Sequence, residues 1–207
     1  MAMAGFTGGL TRHRRRFWTP VDGGGIPQQR RRATVKSTGV RGLRPRHPKD
    51  VAACARLLRV VHYESHYPEQ LVDAPRAWLS HGDVLDAWVV ERQEEILGHV
   101  AISRVGHDTT TAFRWREMTG REPTELASVS RLFVRPKARR LGLGSALLDA
   151  AVAEIRSRGL IPVLQVADSH PDAVRLFEQG GWRLLSMDEW GPRAEHQRVR
   201  CYAGPPG

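Results

Sequence analysis

Apolar residues recur every three or four positions in three segments of the chain, as buried faces of helices require. The first segment follows Pro48 and Asp50, which suit a helix start. The second follows Gly144 and is apolar on most of its surface, so we expect this helix to be well buried. The third opens at Pro171 and closes at the Gly180–Gly181 pair.

Shorter apolar or alternating runs predict strands between these helices. They are VRGLRP (40–45), AWVVE (87–91), ILGHVAIS (96–103), LASVSRLFV (126–134), LIPVLQVA (160–167), WRLLSM (182–187) and QRVRCYA (197–203). We expect residues 62–79 to be a loop with a short helix near 75–79, and the polar residues 104–124 to be a loop. Strands that alternate with helices indicate a mixed α/β (α+β) domain.

The formal net charge of +10 is unevenly distributed. Residues 1–39 carry eight basic residues and one acidic residue, and they lack apolar periodicity. We therefore predict a disordered basic tail over 1–39 and a folded domain over 40–203. The tail is either a solvated extension or an arm that contacts nucleic acid. The composition favours the first, because no aromatic residues repeat among the charges as a stacking platform would require.

The chain has only two cysteines, Cys54 and Cys201, which suits a reducing compartment, and we expect the protein in the cytoplasm. No apolar run is long enough for a membrane span, and no apolar segment follows the first arginines as in a secretory signal. We predict no metal site. The sequence does not decide between a monomer and a homodimer.

The segment RRLGLGSALL (139–148) places two glycines where a helix begins. A helix start has unpaired N–H groups and a positive dipole end, which together bind anions. Glycine lets a phosphate approach the backbone closely. Three alternatives fit less well: a P-loop lacks its Gly-Lys-Ser/Thr ending, a dinucleotide fingerprint fails at Leu147, and a plain helix start leaves the basic residues around the loop unexplained.

The same residues match a family motif. Arg139-x-x-Gly142-x-Gly144 resembles Q/R-x-x-G-x-G/A, the acetyl-CoA-binding motif of the GCN5-related N-acetyltransferases (GNAT superfamily). The strand before it and AVRLFEQGGW (173–182) after it resemble the neighbouring family segments, and the resemblance covers about residues 40–203.

This resemblance implies a mixed, mostly antiparallel sheet with helices on both faces and a fourth and fifth strand that splay apart around acetyl-CoA. It also implies a set of cofactor-binding residues: Leu132, Phe133, Val134, Arg139, Arg140, Leu141, Gly142, Leu143, Gly144, Ser145, His170 and Phe177. The backbone from Arg139 to Ser145 would hold the pyrophosphate, and the Val134 N–H would stabilise the thioester oxyanion.

Two positions depart from the family pattern. Phe177 replaces a tyrosine that protonates the departing thiolate in many members, and His170 replaces an asparagine. His170 either acts as an acid or base or only caps the following helix. The strand position that carries a glutamate in some members is Ser128 here, with Glu125 three residues earlier.

By resemblance, the acceptor would lie near Tyr63, Tyr67, Trp78 and Trp88. These aromatic side chains either hold a cation or ring of the acceptor or pack in the core. The implied activity is acetyl transfer from acetyl-CoA to an amine of a small molecule, peptide or protein. The alternative from another class is a non-catalytic acyl-CoA sensor, which Phe177 motivates.

Overall fold

The computed structural model describes residues 40–69, 72–106, 110–190 and 197–205, so the predicted tail lies outside the described residues. The strands are β1 (Leu43–Pro45), β2 (Val84–Arg92), β3 (Glu95–Arg104), β4 (Leu126–Val134), β5 (Ile161–Ala167), β6 (Arg183–Trp190) and β7 (Gln197–Ala203). The helices are α1 (Val51–Ser65), α2 (Pro75–Leu79), α3 (Thr110–Thr119), α4 (Leu143–Ser157) and α5 (Pro171–Gln179). Short 3-10 turns precede α1 and β4 and follow β4.

The seven strands form one sheet in the order β1-β2-β3-β4-β5-β7-β6. Every neighbouring pair is antiparallel except β4 and β5, which run parallel. The predicted mixed, mostly antiparallel sheet is therefore confirmed.

Helices cover both faces of the sheet, as expected. On one face α4 and α5 pack in a large cluster with Val100 of β3, Val129 of β4 and Leu164 of β5. On the other face α1 and α2 cover β2 and β3, while α3 covers the beginning of β4 and β5. Alternating side chains point to opposite faces of each strand, so both layers are buried against the same sheet.

The expectation of a loop over 104–124 is wrong, because α3 occupies Thr110–Thr119. Ala112 and Trp115 are buried beneath this helix, with Met118 packed beside them. Ala112, Trp115 and Met118 are spaced three residues apart and form a narrow apolar stripe. Such a stripe is difficult to recognise in the polar segment between Gly106 and Gly120. The helix is therefore stabilised by the tertiary packing of Trp115, which local periodicity does not reveal.

Helix α4 lies very close to the sheet. A Cβ atom on Gly98 of β3 would come within 2.8 Å of Leu147 Cδ1, so any other residue here would force the Leu147 side chain to shift. Leu143, Leu147 and Ile155 of α4 are at most 1% exposed, which confirms the predicted burial of this helix. The close contact fixes the beginning of α4 relative to the end of β4.

β4 and β5 diverge after a short stretch of pairing. Only Leu126–Ser128 of β4 pairs with Ile161–Val163 of β5, although β4 continues to Val134 and β5 to Ala167. The two strands therefore separate towards their carboxyl ends. The beginnings of α4 and α5 follow these ends, so both helices start beside the gap.

Candidate functional site

A run of free backbone N–H groups opens α4. Those of residues 140–145 donate to no acceptor within the part of the chain that the structure describes. The Ala146 N–H is the first to bond, to Gly142 O at 3.0 Å. Six consecutive donors at a helix start form a concave site for an anion such as a pyrophosphate.

The shape of this loop depends on two left-handed residues. Arg140 has φ of 62° and Gly142, the residue just before α4, has φ of 74°. A Cβ atom on Gly142 would meet nothing within 4 Å, so this glycine borders open space. A Cβ atom on Gly144 would instead lie 3.3 Å from Leu176 Cδ2, so Gly144 serves the packing of α4 on α5.

The Arg139 N–H is not part of the run, because it donates to Pro136 O at 3.2 Å. Its guanidinium donates from Nη2 to Ser65 Oγ at 2.7 Å and so ties the loop to the end of α1. The Arg140 and Leu141 side chains are exposed at the rim, whereas the Leu143 side chain lies in the core. Within the predicted anion-binding loop, the N–H groups without an acceptor are therefore those from Arg140 to Ser145.

The edge of β4 supplies further polar groups to the gap. The Arg135 N–H bonds to Leu97 O across the β3–β4 ladder, and Val134 faces Gly98. In an antiparallel pair such neighbours alternate, so the Val134 N–H points away from β3 and towards β5. Beyond Ser128 no β5 residue pairs with this edge. The Val134 N–H therefore points into the space that β5 leaves open beside this edge.

A bulge interrupts β4 before this edge. The register shifts between His99 and Ala101 of β3, and Arg131 has a positive φ of 52°. A non-glycine residue in this region costs about 1–3 kcal/mol, which the surroundings must offset. The Arg131 guanidinium donates to Trp78 O, Ser103 Oγ and both oxygens of Asp83. Bulges of this kind are typical beside active sites.

His99 holds the bulge from the β3 side. It is fully buried and stacks on Phe133 with ring centroids 5.0 Å apart. Its Nδ1 lies 2.9 Å from Arg131 O and its Nε2 lies 3.1 Å from Arg46 Nη1. Because a guanidinium can only donate, Nε2 accepts and Nδ1 carries the proton that it donates to Arg131 O. Burial lowers the pKa of His99 to about 3, so the ring is neutral.

Sequence reasoning did not find this polar cluster. The one sequence signal for it was His99, inside the apolar run of β3. A buried histidine without hydrogen-bond partners would destabilise the fold, so partners for this ring could have been expected.

His170 lies at the start of α5, on the β5 side of the gap. Its Nε2 is buried without a hydrogen-bond partner in the described residues, and Glu69 Oε1 lies 4.0 Å away. Burial lowers the pKa of His170, while nearby Glu69 acts in the opposite direction. Its side chain makes no capping hydrogen bond to α5, so capping does not explain it. A neutral imidazole beside the gap is available to accept a proton.

Two predicted site residues are buried. Phe177 is 5% exposed and packs against Trp182 and Tyr202, with ring centroids 6.0 and 6.1 Å away. Trp88 is 3% exposed in the middle of β2 and joins the cluster beneath α4. The cofactor contact of Phe177 and the acceptor contact of Trp88 stay predictions.

The other predicted acceptor residues separate into three positions. Tyr67 contacts Phe133 and His170, with ring centroids 6.4 and 5.7 Å away, and thus lies between the walls of the gap. The Trp78 ring is covered by Arg131 of the same chain, whose Cζ lies 5.1 Å from its centroid. Tyr63 is 72% exposed on α1.

Two polar residues at the beginning of β4 are already engaged. Glu125 accepts from Arg121 and from the Glu122 N–H, and Ser128 Oγ donates to Val129 O.

The described residues show neither a metal site nor a membrane-spanning helix. Within the described ranges, no group of three or more His, Cys, Asp or Glu side chains could hold a metal ion. Among the helices that the structure describes, none has the length and apolarity needed to cross a membrane.

Comparison with known proteins identifies relatives of the domain. The model of the acetyltransferase (GNAT) family matches residues 52–182. A search of curated protein sequences finds no significant match.

Solved structures resemble the fold at low sequence identity. Smu.2055 from Streptococcus mutans has a TM-score of 0.62 and 17% identity over 79% of this chain and 98% of its own. NAA60 from Arabidopsis thaliana in complex with acetyl-CoA has a TM-score of 0.59 and 18% identity over 78% and 96%. The ribosomal-protein-S18-alanine N-acetyltransferase from Escherichia coli has a TM-score of 0.57 and 16% identity over 79% and 92%.

Proposed function

Since the chain belongs to the GNAT acetyltransferase family, we propose that it is an acetyl-CoA-dependent N-acetyltransferase whose acceptor is an amine. Family membership supports acetyl-CoA-dependent acetyl transfer in general, and the acceptor and the residue roles are the proposal. The observation that carries it is the run of six free N–H groups, Arg140 to Ser145, beside the gap between β4 and β5.

Acetyl-CoA fits this arrangement along its length. The six N–H groups and the open space at Gly142 suit the two phosphates of its pyrophosphate. The free edge of β4 near Leu132 and Val134 suits the amide groups of the pantetheine arm, as an added strand would. When bound, acetyl-CoA supplies a thioester carbonyl as the acetyl donor.

His170 is the proposed base. An amine that is protonated at neutral pH must lose a proton before it can attack a thioester. Because burial lowers the pKa of His170, its imidazole is in the basic form at pH 7. Its Nε2 has no hydrogen-bond partner within the described residues, and its ring contacts Tyr67. His170 would take the amine proton, and the Val134 N–H would stabilise the negative charge on the carbonyl oxygen.

Ligand-dependent melting tests this proposal first. Acetyl-CoA at a hundred times its Kd should stabilise the protein by about 2.7 kcal/mol, whereas NAD and ATP should have much less effect. Stabilisation by NAD and not by acetyl-CoA would contradict the proposal.

Release of free thiol from acetyl-CoA in the presence of small amines and peptides tests the chemistry. Tight binding of acetyl-CoA without thiol release in the presence of any amine would contradict the enzymatic function and favour a non-catalytic acyl-CoA sensor.

We also expect the enzyme in a reducing compartment such as the cytoplasm. Its two cysteines, Cys54 and Cys201, are buried thiols that form no disulfide. A free-thiol count on protein purified without reductant measures this. Two reactive thiols after unfolding are expected, and none would contradict it.

A further inference from the structure

The proposed reaction releases a thiolate, which a hydrogen-bond donor would stabilise, and α5 offers no such hydroxyl. Phe177 has no hydroxyl and is 5% exposed in the core. The hydroxyls of β3 and β4 are engaged, because Ser103 and Ser130 bond to each other at 2.8 Å and to Arg131. A side-chain donor to the thiolate would therefore come from another element.

Tyr67 borders the gap from another element. Its ring contacts Phe133, on β4, and His170, at the start of α5, so it spans the two walls of the gap. The loop that carries it is fixed next to Tyr67, since His62 Nδ1 lies 2.8 Å from Pro68 O. Tyr67 thereby reaches the gap from the α1–α2 connection, about 110 positions before Phe177 in the sequence.

The Tyr67 hydroxyl is uncommitted. It makes no hydrogen bond within the described residues, unlike the Tyr202 hydroxyl, which donates to Glu178 Oε1 at 3.1 Å. Burial raises the pKa of Tyr67 to about 12, so the phenol keeps its proton at any pH at which the protein works. A phenol in this state is a hydrogen-bond donor and not a base.

We propose that the Tyr67 hydroxyl donates a hydrogen bond to the sulfur of CoA as the C–S bond breaks, which makes Tyr67 a catalytic residue of this enzyme. This inference rests on the proposed function. A protonated acceptor amine first gives one proton to His170, which passes it to water. The neutral amine nitrogen then forms the new C–N bond and gives a second proton to His170. The electron pair of the C–S bond stays on sulfur, and the thiolate takes a proton from water or from His170 when it leaves. Tyr67 keeps its proton throughout.

A hydrogen bond is sufficient here because of the relative acidities. A thiol has a pKa near 8.5, well below that of buried Tyr67, so complete transfer of the phenolic proton would be unfavourable. A hydrogen bond to a charged acceptor is strong enough to change binding or rate by about tenfold or more.

Calorimetric binding of CoA and of desulfo-CoA, which lacks the sulfur, tests the contact without knowledge of the acceptor. Between pH 7 and pH 9.5 the CoA thiol becomes a thiolate. The ratio of the two affinities should then rise by about tenfold in the wild-type protein. This rise should be lost in Tyr67→Phe, which keeps the ring, and retained in Tyr63→Phe, the control on exposed α1.

The outcomes separate the two proposals. Wild-type protein that binds neither CoA nor acetyl-CoA overturns the proposed function. Binding of both, with an affinity ratio that rises equally in Tyr67→Phe, overturns the role of Tyr67 and leaves the proposed function intact. An affinity ratio that does not rise in the wild-type protein overturns the role of Tyr67 even if Tyr67→Phe fails to fold.

Discussion

Replacement of His99 by glutamine should remove a large part of the acid sensitivity of folding. The neutral ring of His99 donates from Nδ1 to Arg131 O and accepts from Arg46, and it is fully buried. Protonation would put a second donor on Nε2, opposite the Arg46 guanidinium. Glutamine offers one donor and one acceptor and does not titrate, so His99→Gln can preserve both contacts without the charge.

The magnitude follows from the pKa of His99, which burial lowers from 6.5 to about 3. Between these values the unfolded chain binds a proton that the folded protein excludes, so the free energy of unfolding falls as the pH falls. The fall begins near pH 6.5 and amounts to about 3 kcal/mol between pH 7.5 and pH 4.5.

Urea unfolding at pH 7.5 and pH 4.5 measures this effect. The free energy lost over this interval should be smaller in His99→Gln than in the wild-type protein by about 3 kcal/mol, because every other titrating group is common to both. Phe133→Leu is the control: it removes the stacked ring but keeps the histidine, so it should lose as much as the wild-type protein. Equal losses in the wild-type protein and His99→Gln would refute the buried neutral state of His99.

Three further predictions concern the cofactor loop, the base and the second motif. Gly142→Ala and Gly159→Ala place a Cβ in open space at similar φ of 74° and 72°, so each should cost about 1–2 kcal/mol of stability. Only Gly142→Ala should also weaken acetyl-CoA binding in calorimetry, and equal affinities would argue against the loop as the phosphate site. His170→Gln should lower kcat about tenfold or more, and the acid limb of the pH–rate profile, expected below pH 6.5, should disappear. An unchanged pH–rate profile would remove His170 from the chemistry. Phe177→Tyr buries a hydroxyl among Trp182 and Tyr202 and should cost about 1–3 kcal/mol in thermal unfolding without raising the rate. A faster enzyme of unchanged stability would show that the Phe177 ring reaches the gap.

The sequence alone determined the order of the seven strands and of every helix except α3, together with the loop at the beginning of α4. These features depend on residues close together in the chain, such as the spacing of Arg139, Gly142 and Gly144 or the proline and glycines that bound α5. Local conformational preferences and apolar periodicity suffice for them.

Only the tertiary structure decided which side chains reach the gap. Phe177 and Trp88, both predicted at the site, are buried in the same cluster, because the face of an element that meets its neighbours is set by residues far away in sequence. Tyr67 and His170 are 103 positions apart and still in contact. His99, in β3, donates a hydrogen bond to the carbonyl of Arg131, in β4. This bond stabilises a bulge that no local sequence pattern indicates. Contacts of this range arise from packing and from the need to pair every buried polar group, and these conditions act only once the elements are assembled.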